Sequence, residues 1–471
     1  MKTLLVLALL SAPATAGVVN VSTPAELATA IGAAAPGDEI VLAAGTYRLN
    51  GASCAAAGTE AHPIIVRAAT PLAAIVELDG VEGFRVTGAH WHFEGLDVRG
   101  VCASDPTCEH AFHVSGAAHG FVLRGSRVVD FNAQLKVNAS MVGGTMVAPD
   151  RGLIEYNEVG DTRGRNTSNP VTKLNIDTGD DWVVRGNYLH DAQKIMGDGV
   201  SYAAFLKSGG KRGVFERNLV LCSRVTTGGT RIGLSLGGGG TGPQFCAPAY
   251  DANVPCSVEH DGGVIRNNII ANCSDVGIYL NRAKDTRVLY NTLIGTAGID
   301  FRFATTTGEA VGNLLTGMIR PRDGGTVTAS ANMSSIAVTT FTSWYRAPLT
   351  GDLATVGDVR GLVGAGPARA DVPNDYCAVL RPAGMATLGA IEHSVGTCDT
   401  TRPPVGPDPV GGDDAPSGDD AGGGGGGGGD SGGCCQAQPT PDWLALVLVL
   451  CVVMRRPRSR ARVATAGRGP L

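Results

Sequence analysis

The sequence predicts an all-β chain wound as a parallel β-helix, and three observations predict it. First, asparagine recurs in one frame inside short β-rich phrases: Ile154-Glu155-Tyr156-Asn157, Val184-Arg185-Gly186-Asn187, Phe215-Glu216-Arg217-Asn218, Ile265-Arg266-Asn267-Asn268, Leu289-Tyr290-Asn291 and Val311-Gly312-Asn313. Phe93-Glu94-Gly95-Leu96 and Leu123-Arg124-Gly125-Ser126 fit the frame with other residues in the Asn place. From residue 96 onward the intervals are 30, 31, 30, 31, 50, 23 and 22 residues, the period of a solenoid built from short strands and turns. Second, the strands between these phrases alternate, as in Gln134-Leu135-Lys136-Val137-Asn138 and Asp275-Val276-Gly277-Ile278-Tyr279-Leu280-Asn281, so each buries one face. Third, no helical pattern of about 10 residues or more separates the strands. Crossover α/β folds are thereby excluded, and coils stacked about 4.8 Å apart remain. An antiparallel sandwich would want tight two-residue hairpins at fixed spacing, and few are present. Stacked amides bond up a column, so the Asn positions read as structural.

From the N-terminus, Lys2, the apolar run Leu4 to Leu10 and Ala14-Thr15-Ala16 before Gly17 form a secretory signal over residues 1–16. Thr23-Pro24-Ala25-Glu26 is a capping box with Pro at the first helical position, and Leu27, Ala30 and Ile31 share one face. A short helix here closes the open apolar end that a solenoid must cover. The β-helix is expected over 17–335 in about ten coils, with a less regular cover over 336–400. Residues 401–433, Pro-, Gly- and Asp-rich with eight consecutive glycines from Gly422 to Gly429, cannot offset their ordering entropy and read as a linker. Over 434–471 follow Cys434-Cys435, an apolar stretch from Trp443 to Met454 and five arginines between Arg455 and Arg462. The apolar stretch is short of the roughly 20 residues a bilayer core requires. This tail resembles the C-terminal sorting signals of myxobacterial surface proteins, and a plain single-span anchor is the other reading. Both put residues 17–400 outside the cytoplasm, with the membrane touched through the tail alone.

Between residues 17 and 433 there are 31 basic against 42 acidic residues, which argues against nucleic acid as a partner. In an exported chain the cysteines pair: Cys102/Cys108, Cys246/Cys256, Cys377/Cys398 and Cys222/Cys273 are the expected bridges, with Cys54 left over. None has the spacing of a zinc knuckle. Glu109-His110-x-x-His113 invites a metal reading, but along one strand Glu109 and His113 lie about 13 Å apart, so no metal site is expected there.

Pro36-Gly37-Asp38-Glu39-Ile40-Val41-Leu42-Ala43-Ala44-Gly45-Thr46-Tyr47 resembles the opening of secreted bacterial right-handed parallel β-helix proteins, among them the chondroitinase-B/alginate-lyase-like polysaccharide lyases. The resemblance implies right-handed coils and a polysaccharide ligand.

Alternation sorts the strand residues by face. With Leu135/Val137, Thr172/Leu174, Leu206/Ser208, Leu234/Leu236, Ile278/Leu280 and Phe301/Phe303 inward, Lys136, Lys173, Lys207, Ser235, Tyr279 and Arg302 form one outward column. Arg231 and Asp275 stand four residues upstream on the same face, and Asn138, Asn175 and Asn281 two residues downstream. Three ammonium groups about 5 Å apart repel one another, which suits an anionic polymer; the stems can also splay and pair with acids such as Asp177 or Asp198. The 50-residue interval adds a loop from Pro243 to His260, expected to wall a groove and to carry Glu259 and His260 on its rim.

Lys207-Ser208-Gly209-Gly210 followed by Glu216-Arg217-Asn218 resembles the lysine-bearing coil of the same lyases, which implies Lys207 as the base that takes the proton α to a uronate carboxylate. A base there needs a lowered pKa, expected from repulsion by Lys173. Those lyases carry Arg-His-Gly on the next coil, where this chain has Leu234-Ser235-Leu236 and then Gly237-Gly238-Gly239-Gly240-Thr241. Arg231 is the substitute cation, and Tyr279 or His260 the acid. The glycine run lacks the Lys-Ser/Thr of a phosphate loop. The resemblance also implies calcium, but no acidic pair stands on the coil before Lys207, where Val200 and Tyr202 lie. A hydrolytic carboxylate pair would have to be Asp275 and Asp300. The expected function is an exported, surface-retained monomer that cleaves or binds an anionic polysaccharide; the alternative is a non-catalytic adhesin.

Overall fold

The computed structural model describes residues 17–401 apart from Gly239 and Thr397; the signal segment and, past Thr401, the linker and tail lie outside the described residues. The chain winds into three long sheets. The first has twelve strands, from Val18–Val21 to Thr328–Ser330; the second has ten, from Ala52–Cys54 to Met318–Arg322; the third has ten, from Gly45–Leu49 to Leu314–Leu315. One coil shows the pattern. Val122–Arg124 joins the first sheet, Arg127–Val129 the third and Ala133–Asn138 the second, each paired in parallel with the coils before and after. This is a right-handed parallel β-helix.

The inward side chains fill the tube. Phe84, Phe93, Phe112 and Phe121 pack with ring centroids 4.9–5.9 Å apart, and smaller Leu, Ile and Val take over in later coils. At the N-terminal end the helix Pro24–Ala33 closes the core. Thr23 Oγ1 accepts the Glu26 N–H at 3.2 Å, Glu26 Oε2 accepts the Thr23 N–H at 3.1 Å, and Leu27, Ala30 and Ile31 turn inward. That is the predicted cap.

The Asn frame marks one turn of every coil. Residues 95, 125, 156, 186, 217, 267, 290 and 312, each just before a frame position, all have positive φ, a conformation that costs a non-glycine residue about 1 kcal/mol or more. At the non-glycine turns, Tyr156, Arg217, Asn267 and Tyr290, the asparagine amide that follows offsets that cost. Asn218 Oδ1 accepts the Asn187 N–H at 3.0 Å and the Asn187 amide at 3.1 Å. Its own amide donates to Val184 O and to Asn268 Oδ1, both at 2.9 Å. The same bonds run from Asn157 through Asn291 and Asn313 to Asn332.

Past the last coil, Phe341, Tyr345, Leu353, Leu362 and Tyr376 pack over Leu219, Ile269, Ile294 and Leu314 on the outside of the third sheet. The last strand of the second sheet, Met318–Arg322, keeps one edge unpaired; its Arg320 and Arg322 both bond Asp300. The four expected disulfides form and Cys54 is buried as a free thiol. No helix of the described residues is long and apolar enough to cross a membrane.

The column gives a graded prediction. Asn218→Ala leaves the buried Asn187 N–H without its acceptor and takes a donor from Val184 O and Asn268 Oδ1, and should cost about 2–3 kcal/mol in urea unfolding. Asn332→Ala, at the half-exposed end, should cost clearly less.

Candidate functional site

The outer face of the second sheet carries the candidate residues, in a different register from the one alternation suggested. Lys136 pairs with Asn175, Asn175 with Phe205, Phe205 with Ser235, Ser235 with Tyr279 and Tyr279 with Asp300. Asp177 pairs with Lys207 and Asn281 with Arg302 in the next outward row. Lys136, Lys173 and Lys207 therefore do not form one column. The inward pairs on the coils of Lys173 and Lys207 are Leu174/Ile176 and Ala204/Leu206, two residues away from those expected. Phe303 is not inward either: its φ is 74° and it lies half-exposed between Arg282 and Arg302, 5.0 and 4.7 Å from its ring.

What the shifted register creates is a charge cluster. Lys136 and Lys207 both meet Asp177, Lys136 at Oδ2 and Lys207 at Oδ1 at 3.1 Å, and Lys136 also donates to Asn175 Oδ1 at 3.1 Å. Burial raises the Asp177 pKa, but the two ammonium groups outweigh it and hold the carboxyl below its ordinary range. Two cations around one carboxylate leave a net positive charge. Lys207 Nζ also stands 4.9 Å from the Phe205 ring, and Tyr202 meets that ring edge-on at 5.4 Å.

Further along the face, the Tyr279 hydroxyl accepts from Arg302 at 3.0 Å and Asn281 at 3.2 Å. Gly237 separates this group from Lys207. It needs glycine twice over, since its φ is 71° and a Cβ there would sit 1.9 Å from Asn281 O. The loop after it, braced by Cys246–Cys256, folds back onto the sheet end: the Ala247 N–H donates to Ser208 O at 2.9 Å. Between loop and turns lies a cavity of about 430 Å³ lined by Thr241, Pro243, Cys256, Arg282 and Phe303, among others. Thr241 donates to the buried Glu259, which also accepts the Ser208 N–H, and burial pushes the Glu259 carboxyl up.

Several expected residues lie elsewhere. Lys173 is fully buried, donating to Asp161 at 2.6 Å and Phe131 O at 2.8 Å, so it neither meets a ligand nor depresses Lys207. Arg231 is buried as well and spends its guanidinium on Cys222 O, Thr226 O, Gly228 O and Ser223 Oγ. Glu259 and His260 are not on the loop rim; both are buried, and His260 pairs in a short strand with Gly210 and Ala283. Asp275 stands beside Arg231 at the far side of the strand, and Asp300 is buried under two arginines, so they form no hydrolytic pair. Asn138 turns to His113, whose Nε2 lies 2.7 Å from its Oδ1. Asp177, Phe205 and Tyr202 were missed as site residues. Asp177 was legible only as a possible partner acid.

Calcium wants several carboxylate or carbonyl oxygens. Near Lys207 the one outward carboxylate, Asp177, is held by two lysines, so these residues do not fit a calcium ion. The His motif behaves differently from its linear reading. Among the described residues the one convergent group of metal-type donors is Glu82, His110 and His113, all within 4.8 Å of one another. The carboxylate comes from the neighbouring coil, where Glu82 pairs with His110, and not from Glu109 on the same strand.

The family model for chondroitinase B matches residues 21–119, the cap and first coils, ending before Lys136. No curated protein matches. Among solved structures the chain resembles pectate lyase Pel9A at 14% identity and TM-score 0.51, covering 80% of this chain and 97% of that one. A rhamnogalacturonan lyase follows at 16% and 0.50, over 73% and 96%. An alginate lyase from Paenibacillus sp. str. FPU-7 stands at 17% and 0.40, over 68% and 96%. The first two carry the fold: a β-helix of the kind polysaccharide lyases use.

Two predictions separate buried from facing groups. Lys173→Ala leaves Asp161 unpaired in the core and should cost about 3–5 kcal/mol. Lys207→Ala leaves Asp177 its Lys136 partner, and its cost in urea unfolding should stay well below that of Lys173→Ala. Burial, then the charge of Arg212, pulls the His260 pKa from 6.5 to about 3. Below pH 6.5 the unfolded chain takes up a proton the folded chain refuses, so this contribution is complete above 6.5 and declines down to about 3. Melting temperature should fall across that window, with a shallower slope in His260→Gln.

Proposed function

We propose that the protein binds an anionic, uronate-bearing polysaccharide along the outer face of the second sheet and cleaves it by β-elimination, with Lys207 as base. The observation that carries this reading is the meeting of Lys136 and Lys207 at one carboxylate on an outward face walled by the disulfide-braced loop. A substrate carboxylate competes with Asp177 for the Lys136 ammonium, and the Phe205 and Tyr202 rings offer an apolar surface to a sugar ring.

In the proposed step the free amine of Lys207 takes the proton α to the carboxylate, the bond from the β-carbon to the glycosidic oxygen breaks, and a carbon–carbon double bond forms. The departing oxygen takes a proton. Tyr279 suits that part, because its hydroxyl accepts from Arg302 and Asn281 and keeps its own hydrogen free to donate. His260, buried, does not. The four disulfides favour an oxidising compartment, and with the signal and tail motifs they support action outside the cell, at its surface.

One observation favours a second reading, a non-catalytic polysaccharide-binding solenoid. Asp177 occupies both lysines, and Gly237 stands where the resembling lyases carry an arginine. The two readings part in one experiment. A panel of uronate polymers should yield an unsaturated product absorbing in the near ultraviolet, lost in Lys207→Ala at unchanged melting temperature. Salt-sensitive binding without product, weakened by the same substitution, selects the binding reading, and neither product nor binding overturns both.

A further inference from the structure

We propose that Glu82, His110 and His113 form a binding site for a divalent first-row transition-metal ion, of which zinc is the representative. The site lies on the outer face of the second sheet toward its N-terminal end, and the inference does not depend on polysaccharide binding.

Two strands of consecutive coils supply its ligands, and the strand of the following coil supports them. Glu82 and His110 are register partners, and His113 pairs with Lys136 on the following coil. Glu82 Oε1 lies 3.0 Å from His110 Nδ1, and Glu82 Oε2 lies 2.9 Å from His113 Nδ1. A tetrahedral ion bound at about 2.0–2.2 Å holds its ligands roughly 3.4 Å apart, so small side-chain rotations admit it. Two imidazoles and one carboxylate suit zinc and its neighbours, and do not suit calcium.

The second ring nitrogen of His113 shows how the site is oriented. The Asn138 amide donates to Ala139 O at 2.9 Å, which turns its oxygen toward His113 Nε2 at 2.7 Å. With Nε2 turned to that oxygen, Nδ1 faces Glu82 Oε2 at 2.9 Å, the edge of the ring from which it would ligate an ion held by the same carboxylate. Fixing a ligating imidazole through its other nitrogen is the support that metal-binding histidines receive.

Access and charge also fit. The three side chains are between 18% and 29% exposed, open enough for an ion to enter. Of the nearby cations, Lys136 bonds Asp177 and Arg85, the register partner of His113, is exposed. Three protein ligands leave the fourth position open to water or to a ligand on the same face.

Cobalt(II) titration of the untagged, chelator-stripped protein tests the site. We expect one equivalent per chain with a visible absorption spectrum of low-symmetry nitrogen–oxygen ligation, abolished by one equivalent of zinc. Glu82→Gln and His110→Ala should each weaken binding at least about 100-fold, and Asn138→Ala by about 10- to 100-fold through the loss of His113 orientation. His62→Ala, at an exposed histidine elsewhere, should bind as wild type. Melting temperatures identify any variant that fails to fold, and the Asn138 variant then carries the test. A featureless titration, or affinity unchanged in the Glu82 and His110 variants, overturns the proposal.

Discussion

A coil that buries its own turn must find partners for the backbone groups the turn withdraws from water, and everything in this solenoid depends on how that is done. The amide of each frame asparagine from Asn157 to Asn313 bonds a backbone carbonyl of the coil before it and the asparagine of the coil after it, so one residue type ties three successive coils together. This fixes where every coil changes direction. It also permits left-handed backbone at Tyr156, Arg217 and Tyr290, residues with no intrinsic liking for it. With that corner pinned, coils can grow or shrink elsewhere, and the 50-residue interval becomes a loop over the second sheet without disturbing the stack.

The outer face shows the converse condition, where nothing pins the side chains except one another. Lys136 and Lys207 stay beside each other because Asp177 lies between them, and Lys173, of the same type and the same strand parity, is drawn inside by Asp161. Burial and a partner decide which lysine is structural and which is available to a ligand. The cluster is thus a balance of charges spread over three consecutive, hydrogen-bonded coils.

The fold, the cap, the Asn column and the disulfides were legible because each rests on a local pattern or a repeat. The face of many strand residues was legible too, since alternation assigns sides wherever it is unbroken; Lys173 and Arg231, expected outward, are buried. Register was not. A slip of two residues preserves every inward and outward assignment, so Thr172/Leu174 and Leu174/Ile176 are equally good readings of one strand, and only the neighbouring coils choose between them. Lys207 was placed beside Lys173 for that reason, when its actual neighbour is Asp177. Glu82 was invisible to the histidine motif for a related one: in a solenoid the nearest donor is usually a coil away and some thirty residues distant in sequence. Arg231 and His260 were misjudged because a polar residue in a β-rich stretch looks outward until the loop that covers it is known.

The strand Met318–Arg322 ends the second sheet with one side unpaired, and a bare strand edge is a template on which another chain can add. Here the template is spoiled. Pro321 has no hydrogen to offer, and Arg320 and Arg322 bring two charges to the edge against the one carboxylate of Asp300 that both bond. A strand arriving end-on would meet one missing donor and two arginines, so the geometry that stacks coil upon coil within the chain is opposed at its own last edge.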